Sequence, residues 1–184
     1  MRAIAVFGAA NDAIDDAYRT AARRAGVLIA EAGFHLVFGA GSTGLMGEVA
    51  RGARSGGAKI FGMVPTHLNT PEAIDQQCDE LLVTADLRER MTAMERRSDG
   101  FLVLPGGLGT LYEAMEILVL LQLGQTKKPL VFLNTLGAYD ALNAVIDDAI
   151  ARGFVLPEAR KLCDVCATPQ EALATLQARM GQNA

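Results

Sequence analysis

Short apolar runs alternate with longer segments of helical periodicity along the whole chain, and nothing else in the sequence restricts the fold so much. Strands are expected at Arg2–Gly8, His35–Phe38, Lys59–Val64, Glu80–Val83, Gly100–Leu104, Pro129–Leu133 and Leu162–Ala167. Between them, apolar residues recurring at three and four predict helices over Asp12–Ala32, Gly44–Ser55, Asp86–Ser98, Thr110–Leu123, Ala138–Arg152 and Pro169–Met180. Only Pro65–Gln77 reads as irregular, and Gly33 sits where a glycine ends a helix. Alternation of this kind predicts an α/β, Rossmann-like doubly wound parallel sheet. No repeat, low-complexity segment or linker divides the 184 residues, so a single domain spanning residues 1–184 is expected.

Composition narrows the function. Aromatic residues make up only 5% of the chain and Trp is absent, so Ala, Leu, Val and Gly must fill the core, which suits close packing of helices on a sheet. The formal net charge of −4, with Arg and Lys dispersed, lacks the basic stripe of a duplex-binding protein, so nucleic acid is excluded as a partner. The apolar start Met1–Gly8 is too short for a signal peptide and runs at once into Asn11, Asp12, Asp15 and Asp16. No apolar segment approaches the ~20 residues that cross a bilayer. A cytoplasmic protein without membrane contact is therefore expected. Cys163 and Cys166 form a C-x-x-C, but within a late strand rather than at a helix start; with Cys78, His35 and His67 as the other soft donors, they read as half-buried strand residues.

In a doubly wound sheet, ligands bind at the carboxyl ends of the strands. Two glycine loops follow strands here. Phe38-Gly39-Ala40-Gly41-Ser42-Thr43-Gly44 leads into the second helix, and its glycines, Gly41 and Gly44 among them, let backbone N–H groups approach an anion. It also reads as a tight strand-to-helix turn. The second loop, Pro105-Gly106-Gly107-Leu108-Gly109-Thr110, opens the fourth helix and offers a phosphate its N–H groups and a hydroxyl. Glu113 lies one turn inside. Thr110-Leu111-Tyr112-Glu113 also has the spacing of a capping box, so Glu113 reads as a helix cap, a catalytic carboxylate, or both.

Pro105 to Glu113 matches P-G-G-x-G-T-x-x-E, and with it the chain resembles the Lonely Guy (LOG) family of cytokinin-activating phosphoribohydrolases. Gly41–Ala50, the G-x-x-P-x-x-L of Gly62–Leu68, Arg96, Ser98-Asp99, Gln122-Leu123-Gly124, Lys128-Pro129 and Leu133-Asn134 extend the resemblance, which runs from about Ile4 to Phe154. It implies a nucleotide-binding domain that cleaves the base from a nucleoside 5'-monophosphate, with an Arg and the signature Glu in catalysis. The Glu falls on Glu113. The Arg, from a segment written M-H-x-R-K, falls on Arg90 in Leu87-Arg88-Glu89-Arg90-Met91. A substrate-contacting Glu falls on Glu72. Arg88 and Met91 replace the family's His and Lys, which implies one ligand contact fewer, and Gly8-Ala9-Ala10-Asn11 replaces a serine-rich turn.

The resemblance implies no metal and no cofactor. It also implies a homodimer packed through the fourth helix, which is apolar nearly all round from Ala114 to Leu123. Cleaving an N-glycosidic bond builds positive charge on the ribose, which a fixed carboxylate such as Glu113 stabilises while orienting water. Arg90 is suited to hold the phosphate or ribose, or to orient Glu113; read on spacing alone, it belongs to a solvated charged face. Arg97 lies where it can share the face of Arg90, and Glu116 reads as a structural contact. The label lysine decarboxylase, which this group has also carried, finds no support in Lys59, Lys127, Lys128 or Lys161, since none stands in a cofactor motif. The competing reading is a non-catalytic nucleotide or molybdenum-cofactor carrier on the same fold, which needs the glycine loops but not Arg90 with Glu113. A single-strand DNA-binding module is disfavoured by the acidic charge.

Overall fold

The computed structural model describes residues 2–182. Seven strands, β1 (Ala3–Phe7), β2 (His35–Phe38), β3 (Ile60–Pro65), β4 (Glu80–Thr84), β5 (Gly100–Val103), β6 (Leu130–Leu133) and β7 (Cys163–Cys166), form one sheet in the order β4-β3-β2-β1-β5-β6-β7. Every pairing is parallel. The helices are α1 (Asp16–Glu31), α2 (Gly44–Ser55), α3 (Leu87–Arg97), α4 (Leu108–Gln122), α5 (Asp140–Ala151) and α6 (Pro169–Gln182). Short 3-10 turns occupy Thr66–Leu68, Thr135–Gly137 and Pro157–Lys161. Among the described residues no helix is long and apolar enough to cross a membrane.

Alternating side chains of each strand feed two cores. Ile4 and Val6 of β1 point toward α1, α2 and α6, whereas Ala3, Ala5 and Phe7 point toward α3 and α4. Strands buried on both faces, such as β1, β5 and β6, need continuous apolar runs and carry no polar alternation, whereas the edge strand β4 is mostly exposed. Each fully buried large side chain, such as Phe7 or Phe101, contributes roughly 1.5–3 kcal/mol relative to exposure. On the first face α1 and α2 meet backbone to backbone. A Cβ on Gly26 would lie 2.1 Å from the Val49 carbonyl oxygen, and one on Gly52 2.1 Å from that of Arg23. The half-buried CxxC of β7 divides between the faces, Cys166 packing with the first core and Cys163 with the second. Its thiols are free, as the strand reading expects.

Helix starts depart from the sequence reading. α1 begins at Asp16 rather than Asp12, because Asp15 accepts the Ala17 N–H at 2.8 Å as its N-cap. Asp12 is used elsewhere. α5 begins at Asp140 rather than Ala138, because a tight turn intervenes, with Leu136 and Gly137 at φ 52° and 73° and the Asn134 Oδ1 accepting the Tyr139 N–H at 2.7 Å. α4 begins two residues early, at Leu108, with Gly107 extended at the N-cap. Thr110 is then the third residue of the helix and Glu113 the sixth. An N-cap must precede the first turn, so the capping-box reading of Thr110 and Glu113 does not hold.

Candidate active site

Strand order reverses between β1 and β5, and the loops leaving their carboxyl ends diverge there. The gap is a cleft of about 610 Å3. Its walls are the loop after β1 (Gly8 to Asn11), Gly39 and Gly41 after β2, Leu87 and Arg90 of α3, and the first two turns of α4. Met46, Val64, Leu68 and Ile74 give it an apolar side. A comparable hollow of about 640 Å3 lies at the opposite edge of the sheet, among Arg2, Asp99 and Lys128. Its Lys128 is already paired with Glu95 at 2.9 Å, and no strand ends there with its carboxyl edge.

The α4 end of the cleft is built to receive an anion. Gly107 has no side chain with which to cap the helix, and the first N–H groups of a helix have no acceptor within it. The aligned peptide dipoles add partial positive charge at the same place. Gly107, Gly109 and Thr110 line the cleft. A Cβ on either glycine would project into open space, so their absence of side chains keeps the mouth clear. Gly106 and Leu108 do something else. A Cβ on Gly106 would lie 2.1 Å from the Thr110 Oγ1, so this glycine admits the threonine, while Leu108 points outward, 87% exposed.

At the floor, Arg90 of α3 meets Glu113 of α4. The Arg90 Nη2 donates to the Glu113 Oε1 in an ion pair, and each residue is only 8% exposed. Space for the guanidinium comes from Gly39, whose missing Cβ would stand 3.1 Å from the Arg90 Nη1. Burial pushes the Glu113 carboxyl up to about 7, even though Arg90 pulls it down; the nearby Glu116 adds to the rise. A carboxyl poised near neutrality both accepts and releases protons at working pH. The Arg90 Nε is buried with no hydrogen-bond partner. Behind the pair, the Tyr139 hydroxyl donates to the Leu104 carbonyl at 2.6 Å and fixes the end of β5.

Arg90, Glu113, Gly41, Gly107, Gly109 and Thr110 thus line one cleft, brought there by the loop after β2, by α3 and by the start of α4. Other expected residues do not join them. The Glu72 side chain is exposed and outside the cleft; its carbonyl accepts the Ser42 hydroxyl at 3.2 Å, and Ala73 and Ile74 line the wall instead. The Gly44 N–H is taken by the Asp12 carboxylate at 2.9 Å, so the start of α2 is capped by the protein's own anion. Gly44 serves close packing, with φ 58° and a would-be Cβ 2.6 Å from the Ala10 carbonyl carbon. Met91 is 1% exposed in the core under α3, so an apolar residue there removes no contact from the cleft. Arg97 turns away to Glu80 at 3.1 Å and stacks over Phe61 at 4.1 Å. Gly39, Asn11, Met46, Leu68 and Leu87 escaped the sequence reading as site residues; only Gly39, as the first glycine after β2, carried a visible signal.

A Rossmann-like sheet with an anion-receiving helix start beside a buried Arg–Glu pair defines a nucleotide-handling protein. A family profile described as "Possible lysine decarboxylase" matches residues 46–176. A probable cytokinin riboside 5'-monophosphate phosphoribohydrolase of Oryza sativa subsp. japonica is 41% identical over 161 residues, covering 88% of this chain and 71% of the relative. A cytokinin riboside 5'-monophosphate phosphoribohydrolase of Arabidopsis thaliana is 35% identical over 176 residues, covering 96% and 82%. The chain belongs to the Lonely Guy family. Among solved structures, the molybdenum cofactor carrier protein of Chlamydomonas reinhardtii superposes with a TM-score of 0.72 at 23% identity, over 98% of both chains. The molybdenum cofactor binding protein of Rippkaea orientalis gives 0.72 at 18%, over 97% of both. These likenesses establish the fold. Lys59, Lys127, Lys128 and Lys161 all lie outside the cleft, so the decarboxylase label has no lysine to rest on there.

Proposed function

We propose that this protein hydrolyses the N-glycosidic bond of an adenosine 5'-monophosphate, plain or N6-modified, and releases the free base and ribose 5-phosphate. The observation that carries the reading is Glu113, a carboxyl tuned toward neutrality on the floor of a cleft whose rim is an open helix start. Membership of a family with phosphoribohydrolase relatives supports it. In this reading the phosphate rests on the N–H groups around Gly107, Gly109 and Thr110. Glu113 faces the anomeric carbon, stabilises the positive charge that develops on the ribose and orients the attacking water. Arg90 holds Glu113 in place through the ion pair. The apolar wall of Met46, Val64, Leu68 and Ile74 receives the base.

The working assembly in this reading is a homodimer. Leu108, Tyr112, Val119 and Leu123 form an exposed apolar stripe down α4, supporting burial against a second copy. Three free thiols, Cys78, Cys163 and Cys166, suit the reducing cytoplasm.

Incubation with AMP and with an N6-prenylated AMP, followed by chromatography for free base and ribose 5-phosphate, tests the proposal. Release is expected, reduced at least about a hundredfold in Glu113→Gln. Nucleotide bound but not cleaved by the wild-type protein would move the assignment to a carrier.

A further inference from the structure

The strap between β3 and β4, residues 66–79, supplies Leu68, Ala73 and Ile74 to the wall of the cleft. After its opening 3-10 turn it contains no helix or strand, and Ile74 is its one buried residue. A segment with so little apolar burial depends on hydrogen bonds and charge for its place. Those contacts gather around Ile74, which pairs with Gly41 in an antiparallel bridge. On either side of it, the Ser42 N–H donates to the Ala73 carbonyl at 3.1 Å, and the Asp75 N–H donates to the Ala40 carbonyl at 2.7 Å.

The Asp75 side chain then ties the strap to the body of the protein. Its Oδ2 accepts from the Arg54 Nη2 at 2.6 Å, and its Oδ1 accepts the Gln77 N–H at 3.0 Å. The same Arg54 Nη2 donates to the Gln77 carbonyl at 3.2 Å, so one guanidinium in the last turn of α2 grips the strap at two points. The carboxylate side chain is only 13% exposed, which places this pair among the less screened ones. Neither Arg54 nor Asp75 lines the cleft. We propose that Arg54 and Asp75 are positioning residues: a latch behind the cleft that seats Ile74 and Leu68 against the base, and so sets affinity for the base without touching the nucleotide. The identity of that ligand rests on the phosphoribohydrolase reading. The phosphate end of the cleft, built by the start of α4, shares no hydrogen bond with this latch, so the two ends of the ligand respond to it separately.

The test compares Arg54→Gln and Asp75→Asn with the wild-type protein, using AMP as substrate and ribose 5-phosphate as competitive inhibitor. The KM for AMP is expected to rise about fivefold in each variant, as suits the loss of a half-buried ion pair. With Glu113 and Arg90 untouched, kcat should stay in place, the pattern of lost ground-state binding. The inhibition constant of ribose 5-phosphate, which carries the phosphate and no base, should not move. The double variant should be no weaker than either single one, because both remove the same contact. An unchanged KM in the single variants, additive losses in the double variant, or a matching rise in the ribose 5-phosphate constant would overturn the proposal; the last would show a general disturbance of the cleft. If the wild-type protein binds AMP and releases no base, the hydrolase reading fails, while dissociation constants of AMP and ribose 5-phosphate in the same variants, measured by calorimetry, still decide whether the latch acts on the base.

Discussion

Glu113→Gln should change not only activity but the dependence of stability on pH. In the folded protein this carboxyl is held at about 7, against an ordinary glutamate value of 4.5, chiefly because burial disfavours its charged form. Below pH 4.5 it is neutral both folded and unfolded, and the fold pays no penalty. Between about 4.5 and 7 the unfolded chain ionises while the folded chain keeps its proton, so stability falls as pH rises. Above about 7 the loss is complete. At roughly 1.4 kcal/mol per pH unit, the gap amounts to about 3 kcal/mol. Glutamine has nearly the same shape and cannot ionise. Arg90 stays charged throughout, and its attraction for the ionised carboxylate is already contained in the value of about 7, so any further difference between the two proteins is an offset that does not change with pH. Urea unfolding of both proteins, at one protomer concentration and at several pH values from about 4.5 to 8.5, isolates the pH-dependent part. The difference in stability should swing by about 3 kcal/mol in favour of the variant as pH rises. A difference that is flat with pH, or that swings toward the wild type, would refute the reasoning, since it would mean that the ion pair with Arg90 outweighs burial.

Gly39→Ala tests the space made for Arg90. Gly39 does not have a positive φ and the only nearby atom is the Arg90 Nη1 at 3.1 Å, so Ala fits the backbone and displaces the guanidinium by tenths of an ångström. An unchanged melting temperature with kcat/KM lowered on the order of tenfold is expected; full activity would show that Arg90 needs no such slot. Val119→Glu tests the α4 stripe, where Val119 is 51% exposed. Placing an unpaired charge in a dimer interface should give a folded monomer by light scattering, and an unchanged mass would put the interface elsewhere.

The central strands were legible because burial on both faces demands unbroken apolar runs, and those runs need no partner to be seen. β2 and α2 lie where periodicity placed them, and Gly33 ends α1 with φ 75°. The anion-receiving loop and Glu113 were visible for a related reason, since glycines at a helix start and a carboxyl one turn in are local chemistry. What tertiary structure alone decided is which local options were used. Thr110 and Glu113 had the spacing of a cap, yet the glycine pair before them let α4 start at Leu108, and that freed Glu113 to meet Arg90 across 23 residues of chain. Gly44 looked like an anion binder until Asp12, 32 residues away, filled its N–H. Arg90 and Arg97 belong to one charged run on one helix, but only Arg90 is turned into the cleft, since Arg97 is drawn to Glu80 and Phe61 on the neighbouring strands. Periodicity and spacing report what a segment can do by itself; the pairing and burial of a charge depend on groups that only folding brings near.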